Sequence, residues 1–120
     1  MGVSVNSHRK ERVESLLQQE IAAILKRRVA DPRIEGVNII AVSISPDFHF
    51  AKVYYSCIYD DKDINILQEG LNHAKAFIRN ELKKVVKLRI LPQLAFFYDP
   101  SIKRGDTVLK LLKNLETDSE

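Results

Sequence analysis

Tryptophan is absent from this 120-residue chain, cysteine and methionine occur once each, and glycine only four times. Each scarcity removes a class of function. A single cysteine, Cys57, can build neither a disulfide framework nor a four-thiolate zinc site. Cys57 lies mid-strand on the apolar side of an alternating run, which fits a core thiol better than a nucleophile. The glycines at 2, 36, 70 and 105 are too scattered to cradle a phosphate. His8, His49 and His73 fall in different predicted elements without metal-ligand spacing. No apolar run approaches the ~20 residues of a membrane span, and the opening MGVSVNSHRKERVESLL lacks a signal-peptide core. Asn6 stands where a myristoylation motif starting at Gly2 requires Ser or Thr. These gaps predict a cytoplasmic, non-catalytic protein with no cofactor, no metal and no membrane association.

What is present suits one globular domain. Apolar residues make up 45% and charged residues 29%, and a chain this long buries roughly two-thirds of its unfolded surface. The net charge is only +3, but it is unevenly placed. Residues 75–89 hold Lys75, Arg79, Lys83, Lys84, Lys87 and Arg89 against the single acid Glu81, a net of +5, which leaves −2 for the rest. Basic character confined to one segment is the footprint of a polyanion-binding face, or of a helix solubilised by lysine.

Residues 8–28 place Val13, Leu16, Leu17, Ile21, Ile24 and Leu25 at i, i+3, i+4 spacing, which predicts an amphipathic helix. Ser7 is its expected N-cap, and Asp31-Pro32 stops it. After Gly36, VNIIAVSIS and FAKVYYSCIY flank the turn Ser45-Pro46-Asp47, an antiparallel hairpin. On the second strand Ala51, Val53, Tyr55 and Cys57 share one face, and Lys52, Tyr54 and Ser56 the other. Asp60, Asp61 and Asp63 then precede a helical pattern, with Asp63 as N-cap. A calcium loop fails, because Ile66 and Asn72 stand where glycine and glutamate are required.

The stripe Leu67, Leu71, Ala74, Ile78, Leu82 and Val85 keeps helical period from about residue 64 to 86. A straight helix of that length spans ~35 Å, long for so small a domain. A bend is therefore expected near Gly70, Ala74 or Ala76. Pro92 blocks continuation, and LAFFYD predicts a third strand with Leu94, Phe96 and Tyr98 on one face. Residues 106–115 read as a short helix capped by Asp106, and the last five as a frayed end. Tyr54 and Tyr59 are expected at the surface, and Tyr55 and Phe97 in the core. Stacking of exposed aromatics on bases is a lesser alternative. The order is α-β-β-α-α-β, an α+β layer of helices over a small three-stranded sheet.

Within the basic segment, Lys75, Arg79 and Lys83 form an i, i+4, i+4 ridge, with Lys87 and Arg89 beyond it. Such a ridge neutralises several phosphates at once, and its binding weakens steeply with salt. It contacts backbone and reads no bases. The competing function is a protein-interaction module in which the cations only solubilise.

The element order resembles the type II KH domain, although the Gly-x-x-Gly loop of ordinary KH domains is absent. One family without that loop is ribosome-binding factor A, and three segments resemble it in order and spacing. RKERVESLLQQEIAAIL is similar to its opening helix, and DPRIEGVNIIAVSISPDFHFAKVYYS to its first two strands. AFIRNELKKVVKLRILPQLAFFYDPSIKRG is similar to its third helix, last strand and ending. The resemblance implies one KH-like RNA-binding domain, with a core over about 8–105 and a C-terminal extension over 106–120. It implies a helix-kink-helix at Ala74-Lys75-Ala76, where Ala76 replaces the family's glycine. It implies binding to free small (30S) ribosomal subunits and the 5′ region of 16S ribosomal RNA. It further implies late 5′-end processing, growth in the cold, ribosome-assembly GTPases as partners, and action as a monomer.

Overall fold

A computed structural model describes the backbone of residues 2–100 and the side chains from residue 8. The helix expected at 106–115 and the frayed end lie outside these residues. Helix α1 (Gly2–Arg28) leads through a 3-10 turn (Pro32–Ile34) to strands β1 (Val37–Ile44) and β2 (Phe50–Cys57). Helix α2 (Ile64–Val85) and strand β3 (Gln93–Tyr98) complete the order α-β-β-α-β. The sheet order is β1-β2-β3, with β1 antiparallel and β3 parallel to β2.

Period two turns Val42 and Ile44, then Ala51, Val53, Tyr55 and Cys57, then Leu94 and Phe96 toward the helices. There they meet Val13, Leu17, Ile21 and Ile24 of α1 and Leu67, Leu71, Ala74, Ile78 and Leu82 of α2 in one core. Ser45 and Asp47 form the hairpin turn: the Ser45 hydroxyl donates to Asp47 Oδ1 at 2.7 Å and accepts from the Phe50 N–H at 3.0 Å. Asp63 caps α2 by accepting the Asn65 N–H at 2.8 Å. The buried Cys57 thiol donates to the Glu35 carbonyl, as befits a core residue.

Several expectations are corrected. Helix α1 begins at Gly2, so Ser7 lies inside it and does not cap it. Leu16, counted in its apolar face, is 38% exposed. The expected pair of helices is one: α2 runs unbroken through Ala74, Lys75 and Ala76. Alanine is the best helix former and glycine among the poorest, so replacing the family glycine by Ala76 removes the reason to break. Val85 is exposed and Val86 buried, because the i+4 step from Ile78 and Leu82 lands on Val86, which leaves the helix as its extended C-cap. Phe97 is 43% exposed, since Leu94, Phe96 and Tyr98 take the inward positions of β3.

Gly70 serves close packing. A Cβ there would lie 2.6 Å from Ile34 Cγ2 and 3.1 Å from Arg33 Cβ, and Ile34 is buried. Overpacking of ~1–3 kcal/mol outweighs the ~1 kcal/mol that alanine gains in helix propensity. Gly70→Ala is therefore expected to lower the urea midpoint.

Asp31 holds the 3-10 turn by accepting the Arg33 N–H at 2.9 Å and a guanidinium bond at 2.7 Å. The Arg33 side chain, then its backbone N–H, hold the Asp31 carboxyl down at about 2, against an ordinary 3.8. A folded value below the unfolded one stabilises fully above the unfolded value and is lost as pH falls through the folded one. The urea-midpoint gap between wild type and Asp31→Asn should be widest above about pH 4 and close toward about pH 2.

Candidate functional site

Helix side chains bond a few backbone groups of both outer strands, and those on the β3 side help fix where the cations of α2 stand. On the β1 edge, Glu14 accepts the Ile44 N–H at 2.8 Å. Gln18 donates to the Ile40 carbonyl at 2.8 Å, beside the bulge between Ile39 and Ala41. On the β3 side, Gln68 accepts the Tyr55 hydroxyl at 2.7 Å and donates to the Phe96 carbonyl at 2.9 Å. Burial pushes the Tyr55 phenol up to about 12, so it stays protonated and donates at any ordinary pH. Three turns further along α2, Arg79 donates to the Leu91 carbonyl at 2.7 Å and the Pro92 carbonyl at 3.2 Å.

Arg79 is thus the clamp that holds the connection 86–92 against α2. Its planar guanidinium serves two adjacent carbonyls at once, a geometry lysine does not offer. With Leu88 and Leu91 partly buried against the core and Pro92 fully buried, this clamp fixes the chain that carries Lys87 and Arg89. Both of those side chains are exposed.

The six cations do not form one surface. Lys75, Arg79 and Lys83 follow the expected i, i+4, i+4 row on the flank of α2 that borders β3, with Lys75 and Arg79 half-buried and Lys83 exposed. Lys84 is one residue further round the helix, on the flank facing α1. Its Nζ lies 2.8 Å from Glu81 Oε2, and Arg28 stands 3.9 Å from the other oxygen of the same carboxylate. The Lys84 hydrogen bond, with the charges of Lys84 and Arg28, holds the Glu81 carboxyl below its usual range. Lys84 therefore shares one carboxylate with Arg28, and its charge is partly offset. Among the described residues, Lys83, Lys87 and Arg89 make no ion pair, and they gather where α2 ends. Lys83 and Lys84 also occupy the last turn, where cations complement the helix dipole.

One cation was missed. Arg9, near the start of α1, lines a cavity of about 200 Å³ with Asp47, Phe48, Leu88, Arg89 and Ile90. Its guanidinium lies 5.8 Å from the centre of the Phe48 ring, and Phe48 has the left-handed φ of 63°. The run Arg9-Lys10-Glu11-Arg12 was legible as basic. Nothing in it signalled that Arg9 would stand across a cleft from Arg89, because that proximity depends on how the tertiary fold brings the hairpin turn between them. Lys52 was likewise unassigned, and its Nζ lies 5.9 Å from the Phe97 ring centre.

No group of three potential metal-ligating side chains occurs among the described residues, and no helix among them is long and apolar enough to cross a membrane. What the site offers is a cationic rim. Exposed charges sit on a rigid helix end and a clamped loop, bordered by an edge strand.

Comparison with known proteins agrees over nearly the whole chain. The family profile described as ribosome-binding factor A matches residues 9–112. Ribosome-binding factor A of Latilactobacillus sakei is 41% identical over 112 residues, covering 92% of this chain and 95% of that protein. The solution structure of a Thermotoga maritima protein described as a putative ribosome-binding factor A superposes with a TM-score of 0.67. It is 30% identical and covers 76% of this chain and 87% of that one. A Thermus thermophilus ribosome-binding factor A homology model, fitted into a cryo-electron-microscopy map of its 30S complex, shares the fold. Its TM-score is 0.62 at 24% identity, over 74% of this chain and 93% of that one. With the fold, the helix–strand order and the profile in agreement, the chain belongs to the ribosome-binding factor A family.

Proposed function

We propose that this chain binds the small (30S) ribosomal subunit during its maturation, docking on 16S ribosomal RNA through the cationic rim at the end of α2. Lys83, Lys87 and Arg89 make the phosphate contacts, with Lys75 at the margin of the same row and Arg9 extending it across the cleft. Arg79 positions the loop that carries Lys87 and Arg89, and Lys84 contributes less because Glu81 already offsets part of its charge. The observation that carries this reading is the set of three exposed cations without acidic partners among the described residues, on a member of a family whose Thermus relative has been placed in a 30S complex. Contacts of this kind hold an RNA conformation and read no sequence, so the protein acts by binding and not by catalysis. By family resemblance it acts in the cytoplasm, as a monomer, in late 5′-end processing and cold adaptation, and ribosome-assembly GTPases work alongside it.

The test is sedimentation of the tagged protein through sucrose gradients at low and moderate salt. Co-migration with free small subunits, lost as salt rises, is the expected result. Equal association with every ribosomal fraction would reduce the reading to general RNA adhesion. A salt-insensitive association would favour a protein-interaction module.

A further inference from the structure

The face of the sheet turned away from both helices carries an aromatic group that the cationic rim does not use. Alternation and register place Phe50, Lys52, Tyr54 and the buried Ser56 of β2 there, beside Gln93, Ala95 and Phe97 of β3 and Asn38, Ala41 and Ser43 of β1, so the face is open from Phe50 to Tyr54 and closed at Ser56. Tyr54 and Phe97 are register partners on adjacent strands. Their ring centres lie 6.0 Å apart with the planes inclined by 36°. Phe97 is 43% and Phe50 61% exposed. The side chains beside Tyr54 and Lys52 are small or aromatic: Ala41 is opposite Tyr54, and Ala95 is opposite Lys52, while Gln93 is opposite Phe50. No carboxylate occupies any outward position on the three strands.

We infer that this face is a second RNA surface, on which Tyr54 and Phe97 stack unpaired bases of a single strand while Lys52 meets the adjoining phosphate. The inference rests on the RNA-binding reading above. Every base has a π-face, so paired rings on an open sheet accept single strands with little sequence preference. Aromatic rings also serve protein interfaces, so it is the charge of the surface that favours a nucleic acid. This one offers rings, one cation and no acid, which matches the charge and shape of a nucleic-acid strand. Its position is also suitable. Arg79 bonds the carbonyls just before β3, so the cationic row and the aromatic face border the same edge strand. A single strand crossing that edge meets phosphate contacts on one side and stacking contacts on the other.

The experiment measures fluorescence anisotropy with two probes, a fluorescein-labelled oligouridylate and a labelled RNA hairpin that is mostly duplex. Phe97→Leu and Tyr54→Leu keep apolar bulk but remove a ring. Each is expected to weaken oligouridylate binding by about 5- to 100-fold, the loss of one base–aromatic stack, and to leave hairpin binding unchanged. Phe97→Tyr should restore the wild-type value. Urea midpoints confirm that each variant is folded. If Phe97→Leu binds oligouridylate as well as wild type, the face is an apolar docking surface or is covered by another segment, and the inference is overturned. If Phe97→Leu weakens both probes equally, ring stacking on a single strand is likewise overturned. If wild type binds neither probe nor small subunits, it is the RNA-binding reading itself that fails, a different result from the loss of stacking alone.

Discussion

Replacing Lys83, Lys87 and Arg89 together with glutamate is expected to abolish co-sedimentation with free small subunits. The far-ultraviolet circular dichroism should stay at the wild-type value, and the urea midpoint should fall only slightly, because Lys83 lies in the last turn of α2. The choice of residues follows from the geometry. Arg79 is excluded because its two bonds to the Leu91 and Pro92 carbonyls hold the loop, so its reversal would confuse lost contact with lost structure. Lys84 is excluded because Glu81 already occupies it at 2.8 Å. Lys75 is half-buried and is left in place; Lys83, Lys87 and Arg89 are exposed and have no ion pair among the described residues, so their replacement disturbs little of the folded state. Each phosphate contact removed lowers the slope of log affinity against log salt by roughly one. Neutralising the three to glutamine should therefore flatten the slope by about three, and reversal adds repulsion. A triple variant that still co-sediments at low salt would show that the rim only solubilises.

The second large effect concerns stability. Ile78 is fully buried in the middle of α2, between Ala74 and Leu82 and adjacent in sequence to the clamp Arg79. Ile78→Ala should lower stability by ~2–5 kcal/mol through lost burial and an incompletely collapsed cavity. That is a large share of the ~5–15 kcal/mol that typical domains possess. The urea midpoint should fall with the m-value unchanged. Ile66, exposed on the same helix, provides the contrast: Ile66→Ala should stay within about 0.5 kcal/mol of wild type. An Ile78→Ala variant as stable as Ile66→Ala would mean that the apolar stripe of α2 does not anchor the sheet.

Much of this was readable from residues alone, and the reasons are physical. Period 3.6 identified the buried face of α2 because burial of one stripe dominates the free energy of a helix on a sheet. Period two identified the inward residues of β2 for the same reason. The Asp63 cap and the Ser45–Asp47 turn were readable because each is made within a few residues. The loss of the helix-kink-helix was foreshadowed by Ala76. Helix length and family resemblance both pointed to a bend and a second helix, whereas the apolar period ran uninterrupted and α2 is one helix.

The sorting of the six cations was not readable. Spacing put Arg79 in a binding ridge, and its half-buried clamp depends on carbonyls thirteen residues or fewer along the chain but across a loop of no regular period. Lys84 looked equivalent to Lys83 until the 100° step between them set one beside Glu81 and Arg28 and left the other exposed. Arg9 was overlooked and Phe97 misplaced for a similar reason. Proximity across elements and the openness of a sheet face are tertiary facts, and composition does not carry them.

The end of α2 and the loop after it are the segments proposed to contact ribosomal RNA. Ultraviolet crosslinking of the full chain to purified small subunits, followed by mass spectrometry of the crosslinked peptides, tests this most directly. Crosslinks to 16S ribosomal RNA at Lys83, Lys87 and Arg89 are the predicted result. Crosslinks confined to the Lys26–Arg28 end of α1, with none on the segment from Lys83 to Arg89, would contradict it.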